Sequence, residues 1–257
     1  MNQMLQSFVA IDQDCGLHHV VLDHLATAAM EILRENLSLL PLTLSYPMLL
    51  LFTSIEQNTR NEMQKLQRSG LDFIGVNHYT SYYVKDCMFS ACEPGKGSSR
   101  TEGFALSSPQ INGFSIGQPT ELDWLYVHPE GMEKIVTYIK NRYNNTPMFI
   151  TENGLGTIEK PNSKSEDMIN DVERVEYLSS YLDSLATAIM KGANVRGYFV
   201  WSLLDNFEWT YGYNIRFGLH HVDYATLNRT RRFSALWYKH FIDQHSNKAC
   251  HHHHHDS

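Results

Sequence analysis

The run Pro147-Met148-Phe149-Ile150-Thr151, followed at once by Glu152-Asn153-Gly154, decides how this chain folds. It is apolar and β-rich but too short for a buried helix, so it predicts a strand covered on both faces. Twenty residues on, Val172, Val175, Leu178, Leu182, Leu185 and Ile189 recur at helical spacing. They predict an amphipathic helix from about Asp171 to Lys191, apolar side inward, with Gly192 placed to end it. A strand followed by such a helix is a βα unit, and the pattern repeats on both sides. Downstream, Val195 to Trp201 is a second apolar run, followed by a helix from about Phe233 to Asp243. Upstream, Leu71 to Val76 is another, followed by a long loop rich in Gly, Ser and Pro. A helix then starts near Pro129, with Met132, Ile135, Val136 and Ile139 on one face. Three successive units predict an α/β fold with parallel strands.

In a barrel of βα units the reactive groups gather where strands end at their C-termini. Those positions hold Asn77 and Tyr79 after the first run, Glu152 and Asn153 after the second, and Trp201 with Glu208 and Trp209 after the third. A carboxylate there can attack an anomeric carbon, a phenol can hold the carboxylate in place, and indoles can bind a sugar face. One Glu after a strand would read as a cap. Three coordinated strand ends favour a site.

These residues carry a family resemblance. Ile150-Thr151-Glu152-Asn153-Gly154 resembles the nucleophile motif of glycoside hydrolase family 1, and Asn77-His78-Tyr79-Thr80 resembles its sixth-strand motif. The segment Gly197-Tyr198-Phe199-Val200-Trp201-Ser202-Leu203-Leu204-Asp205-Asn206-Phe207-Glu208-Trp209 is similar to the eighth-strand signature, and Arg216-Phe217-Gly218-Leu219 continues it. The loop with Cys87, Cys92, Glu93, Pro94 and Gly95 resembles the plant branch. The resemblance spans about residues 61–242. It implies a partial (β/α)8 TIM barrel, the sixth to eighth βα units, from a retaining β-glucosidase. By the same resemblance Glu152 is the nucleophile and Tyr79 its hydrogen-bond partner. Glu208 and Trp209 bind glycone hydroxyls, Trp201 lies under the sugar, Trp124 packs on the aglycone, and Asn77 lies on the same rim. No cofactor or metal is implied.

The departures weigh as much. The family's acid/base glutamate belongs to a Thr-x-Asn-Glu-Pro motif on the fourth strand, and these 257 residues contain none. Glu93 precedes Pro94 but follows the sixth-strand motif, and Glu62 after Asn61 precedes Met63, so neither substitutes. The expectation is a truncated glycosidase, inactive as this single chain, with a β-glucoside or other carbohydrate as ligand. A complementing fragment with the first five strands is its expected protein partner, because three parallel strands leave two unpaired edges. A rival expectation is a non-catalytic carbohydrate- or partner-binding remnant using Trp124, Trp201 and Trp209. A truncated gene product without function is a third. Residues 1–60 lack the βα rhythm and read as a divergent N-terminal segment, 61–245 as the barrel part, and 246–257 as a tail with a His run.

Composition narrows the remaining classes. A net charge of −7 with no basic stripe argues against nucleic acid. Leu37 to Ile55 is uncharged, but Pro41 and Pro47 interrupt it, so it reads as a buried or poorly ordered segment and not a membrane span. No Lys or Arg precedes Arg34 and no secretory leader is visible, which leaves the compartment unassigned. Sequons stand at Asn36, Asn144 and Asn228 and are expected to stay bare without a leader. Of the cysteines Cys15, Cys87, Cys92 and Cys250, only Cys87 and Cys92 are close enough for a local disulfide, with two free thiols the equal alternative. The run His251 to His255 reads as an affinity tag or solvated tail.

Overall fold

A computed structural model describes residues 71–87, 92, 99–102, 105–159 and 168–249. The boundary near residue 61, the apolar stretch 37–55, the sequon at Asn36 and the terminal His run lie outside the described residues. Three parallel strands form the centre: β1 (Ile74–Asn77), β2 (Met148–Asn153) and β3 (Val195–Val200), in the spatial order β1-β2-β3. Ile74 sits opposite Met148 and Val76 opposite Ile150, while Tyr198 pairs with Ile150 and Val200 with Asn153. Helices α1 (Glu130–Arg142), α2 (Val172–Met190) and α3 (Phe233–Ala249) follow the three strands in turn. This is the sixth-to-eighth section of a (β/α)8 TIM barrel, and among the described residues it is an open three-stranded parallel sheet with helices.

The core lies between sheet and helices. Ile74, Val76, Met148 and Ile150 meet Met132, Val136 and Ile139 of α1 and Leu178 and Leu185 of α2, all buried. Each such side chain contributes roughly 1.5–3 kcal/mol by leaving water. In α1, Glu130 and Glu133 stand in the first turn and Lys140 and Arg142 in the last, both matched to the helix dipole. Gly192 closes α2 as expected. At φ +88° its N–H reaches the Ile189 carbonyl at 2.8 Å, and the N–H of Ala193 reaches that of Ala188 at 3.0 Å, a Schellman stop.

Two readings of the sequence need correction. Of the six positions read as inward on α2, Leu178, Leu182 and Leu185 are buried and Val175 is half-buried, but Val172 and Ile189 are exposed, and Arg174, Tyr177, Tyr181 and Ala188 complete the buried face. Counting apolar residues missed part of the face because an arginine and two tyrosines find internal partners there. The long loop after β1 is also structured. Tyr83–Asp86, Ala105–Ser108 and Arg100–Glu102 form a small antiparallel sheet, and Gln110–Ile111 pairs with Phe114–Ser115. That second hairpin turns on Asn112 and Gly113, at φ 51° and 81°, the positive angles a two-residue turn requires. Cys87 and Cys92 are joined by a disulfide with Cα atoms 5.4 Å apart.

A buried ion network ties the loop after β3 to the helices. Asp205 accepts from Arg232 Nη1 at 2.8 Å and Nη2 at 3.0 Å, and from the backbone N–H groups of Gly218 at 2.9 Å and Val222 at 3.2 Å. Arg174 donates to Asp171 and to the carbonyls of Leu155 at 3.0 Å, Gly218 at 3.0 Å and Arg216 at 2.8 Å. Asp171 also receives the Ser234 N–H at 2.8 Å and its hydroxyl at 2.6 Å, so it anchors the start of α3. No helix among the described residues is long and apolar enough to cross a membrane. No group of His, Cys, Asp and Glu among them could hold a metal ion.

Candidate active site

The three strand ends are locked side by side through the backbone. His78 N–H bonds the Glu152 carbonyl at 2.9 Å, and Trp201 N–H bonds the Asn153 carbonyl at 2.9 Å. β2 runs two residues beyond its sequence estimate, so Glu152 and Asn153 lie within the strand. Their side chains take opposite sides by the period of two: Asn153 is fully buried, and Glu152 is half-buried. Gly154 is required here. A Cβ at that position would stand 1.9 Å from the Trp201 carbonyl oxygen, so any larger residue pushes the two strand ends apart.

Asn77 and Tyr79 meet Glu152, with Trp124 against Tyr79 and the Trp201–Glu208 pair alongside. The Tyr79 hydroxyl donates to Glu152 Oε2 at 2.7 Å, and Asn77 also hydrogen-bonds the carboxylate. Asn77 Oδ1 in turn accepts from Thr151 Oγ1 at 2.5 Å. Trp201 Nε1 approaches Glu208 Oε2 at 3.4 Å. The Tyr79 ring is held edge-on by Trp124, centroids 5.9 Å apart, and by Phe217 at 6.0 Å. Trp209 stands 68% exposed.

Electrostatics separates the groups. Burial pushes the Glu152 pKa above the usual carboxylate value, while the Tyr79 and Asn77 hydrogen bonds pull it back. Glu208 is also raised, by burial first and by the Glu152 charge in addition, against the pull of the Trp201 hydrogen bond. Burial and then the Glu152 charge push the Tyr79 phenol far up, so it stays a donor at every working pH. Two carboxylates whose ionised forms are disfavoured thus share one rim, beside aromatic faces.

A family-wide sequence model, Glycosyl hydrolase family 1, matches residues 10–247. The chain belongs to that family. It is 50% identical over 189 residues to the "Probable inactive beta-glucosidase 14" of Oryza sativa subsp. japonica, covering 74% of this chain and 36% of the relative. To "Beta-glucosidase 47" of Arabidopsis thaliana it is 50% identical over 181 residues, covering 70% of this chain and 31% of that protein. Among solved structures, the rice β-glucosidase Os3BGlu6, a mutant in covalent complex with Glc, matches with a TM-score of 0.59 and 39% identity. That match covers 66% of this chain and 36% of the rice chain. The chain therefore spans about a third of the length of these family 1 relatives.

Sequence reading missed the residues behind the family 1 motifs. Tyr177 and Tyr181 of α2 and Tyr198 of β3 support Asn153 and the Tyr79 backbone, and the signal available was a Tyr pair at i, i+4 on a helix facing strand ends. The raised carboxylates give a pH expectation. Below the unfolded pKa of about 4.5 both states carry the proton and the shift has no effect. Above it the unfolded chain releases the proton more readily, so the shift lowers stability as pH rises. Glu152→Gln, which removes the ionisation, is expected to unfold at a higher temperature than the parent at pH 7 and at the same temperature near pH 4. Thermal unfolding across that range measures it, and an equal offset at both pH values would contradict the assignment.

Proposed function

We propose that this chain carries the nucleophile side of a retaining β-glucosidase site and needs a separate acid/base to turn over natural substrates. Glu152 is the nucleophile, and Tyr79 orients it and tempers its charge. Glu208 and Trp209 bind glycone hydroxyls, Trp201 is the platform under the sugar, Trp124 borders the aglycone, and Asn77 serves the rim. The observation that carries this assignment is the 2.7 Å contact from the Tyr79 hydroxyl to Glu152 at the end of the middle strand. The covalent Glc of the rice relative supports a glycosyl-enzyme chemistry for the same family.

The sequence supports the second half of the proposal. No Thr-x-Asn-Glu-Pro motif occurs in these residues, so a polypeptide made of them alone lacks the group that protonates the leaving oxygen and later activates water. β1 and β3 pair on one side only among the described residues, and Phe199 on β3 is exposed. These edges fit a fragment bearing the first five strands. Incubated alone with an alkyl β-glucoside or a β-linked oligosaccharide, the chain is expected to release no glucose. Mixed with a family fragment carrying the first five strands, it is expected to hydrolyse the same substrate with retention, and Glu152→Gln is expected to abolish that gain. Sustained hydrolysis by the chain alone, lost in Glu152→Gln, would overturn the need for a separate acid/base.

A non-catalytic sugar-binding remnant is the second reading, favoured by the exposure of Trp209 beside the Trp201–Glu208 contact. It predicts saturable binding of glucose or a β-glucoside, weakened by Trp209→Ala, with no covalent product at Glu152.

A further inference from the structure

Behind the site lies a second tier of tyrosine hydroxyls, Tyr177, Tyr181 and Tyr198. Tyr177 and Tyr181, one turn apart on α2 with rings stacked at 4.2 Å, both donate to the same acceptor, the Tyr79 carbonyl, at 2.8 and 3.0 Å. That carbonyl has two lone pairs, and the two phenols occupy both. Each phenol is in turn oriented by a donor. Asn153 Nδ2 bonds the Tyr177 oxygen at 3.0 Å and the His78 carbonyl at 2.7 Å, and the His128 N–H bonds the Tyr181 oxygen at 3.0 Å. Tyr198 completes one branch by donating to Asn153 Oδ1 at 2.6 Å. Tyr177 and Tyr181 are 2% and 0% exposed, so water does not compete for these bonds.

The geometry has a consequence for the carboxylate. Tyr79 is not in a strand; it follows β1, and its ring must still reach Glu152 Oε2 to within 2.7 Å. Its ring is held by Trp124 and Phe217, but edge-on aromatic contacts tolerate sliding, whereas two hydrogen bonds to one carbonyl fix the position of the main chain. Asn153 adds a cross-check, since its backbone adjoins Glu152 while its amide holds both His78 and Tyr177. Displacement of α2 relative to the sheet would therefore be felt at the Tyr79–Glu152 contact.

We propose that Tyr177 and Tyr181 are positioning residues, a pair of buried hydroxyls on α2 that fixes the Tyr79 carbonyl and thereby sets the reach of the Tyr79 hydroxyl to Glu152. The inference rests on the assignment of Glu152 as nucleophile. Their own phenols stay protonated donors, because burial holds Tyr177 well above the ordinary tyrosine value and Tyr181 near about 12.

The test reads the Glu152 carboxyl directly, by its ¹³C NMR titration in the 257-residue chain, the signal being assigned by its loss in Glu152→Gln. Removing the Tyr79 donor with Tyr79→Phe is expected to raise the Glu152 pKa by about 1 pH unit. The Tyr177→Phe/Tyr181→Phe variant, with Tyr79 intact, is expected to raise it by roughly half as much or more. Adding Tyr79→Phe to that pair should give less than the sum, since both routes remove one contact. Tyr143→Phe, another buried tyrosine but at the end of α1, controls for general loosening and should leave the titration in place. If the double variant does not fold, each single Tyr→Phe is read in the same way. An unchanged Glu152 titration, or full additivity with Tyr79→Phe, overturns the proposal and leaves the pair a packing feature. Covalent labelling of Glu152 by an activated glucoside is scored separately. Labelling with an unmoved titration sinks only the positioning role, and a moved titration without labelling sinks only the nucleophile assignment.

Discussion

Asp205→Ala is expected to lower the stability of the chain by about 3–5 kcal/mol, the usual cost of removing one partner of a buried ion pair. Asp205 is 4% exposed and Arg232 1%, so the guanidinium would be left buried without its carboxylate. The N–H groups of Gly218 and Val222 would lose their acceptor as well, adding further to the cost. Against a domain stability of about 5–15 kcal/mol this is decisive, and more so for a sheet with open edges. Asp205→Asn keeps acceptor oxygen but loses charge, and should fall between the two. Urea unfolding midpoints of the three proteins measure the series. Asp205→Ala within 1 kcal/mol of the parent would show that the network does not hold the loop after β3 to α3.

The second large effect is chemical. In the proposed reaction, glycosylation of Glu152 breaks the bond between the anomeric carbon and the aglycone oxygen, and the leaving oxygen departs with the electron pair. An activated aryl oxide is stable without a proton, whereas an alkoxide is not. General acid assistance is worth about 10²- to 10⁴-fold, so a chain without the acid should favour the aryl substrate by at least that factor. Reaction with an alkyl β-glucoside at a comparable rate would mean that another carboxylate here supplies the proton. On the proposed reading, which supplies no base to activate water, the glycosyl-enzyme should persist. Stopped assays that follow aryl release should show one equivalent or less and no steady state.

Much of this was legible in the sequence because it depended on local signals. The apolar runs ending at Val76, Thr151 and Trp201 each became a parallel strand, and Gly192 ended α2 at the expected place. Gly154 was quoted only as part of a motif, although its proximity to the Trp201 carbonyl is what the motif needs. Counting apolar residues found only part of the buried face of α2, the leucines Leu178, Leu182 and Leu185. Arg174 looks solvent-facing until its three backbone acceptors and Asp171 are known, and those come from segments up to 44 residues away. The Tyr79 support was hidden for the same reason, since Tyr177 and Tyr181 act across roughly 100 residues of chain. The hairpin in the long loop had a readable signal, Asn112-Gly113, which a reading fixed on Gly, Ser and Pro content passed over.

The measurement that bears most directly on the central claim is mass spectrometry of the chain after incubation with an activated 2-deoxy-2-fluoro β-glucoside, whose fluorine slows deglycosylation. A single fluoroglucosyl adduct on the peptide containing Glu152, absent in Glu152→Gln and slowed in Tyr79→Phe, is the predicted result. An adduct on another carboxylate, or none from a chain whose folded state is confirmed by the Glu152 titration, would contradict it.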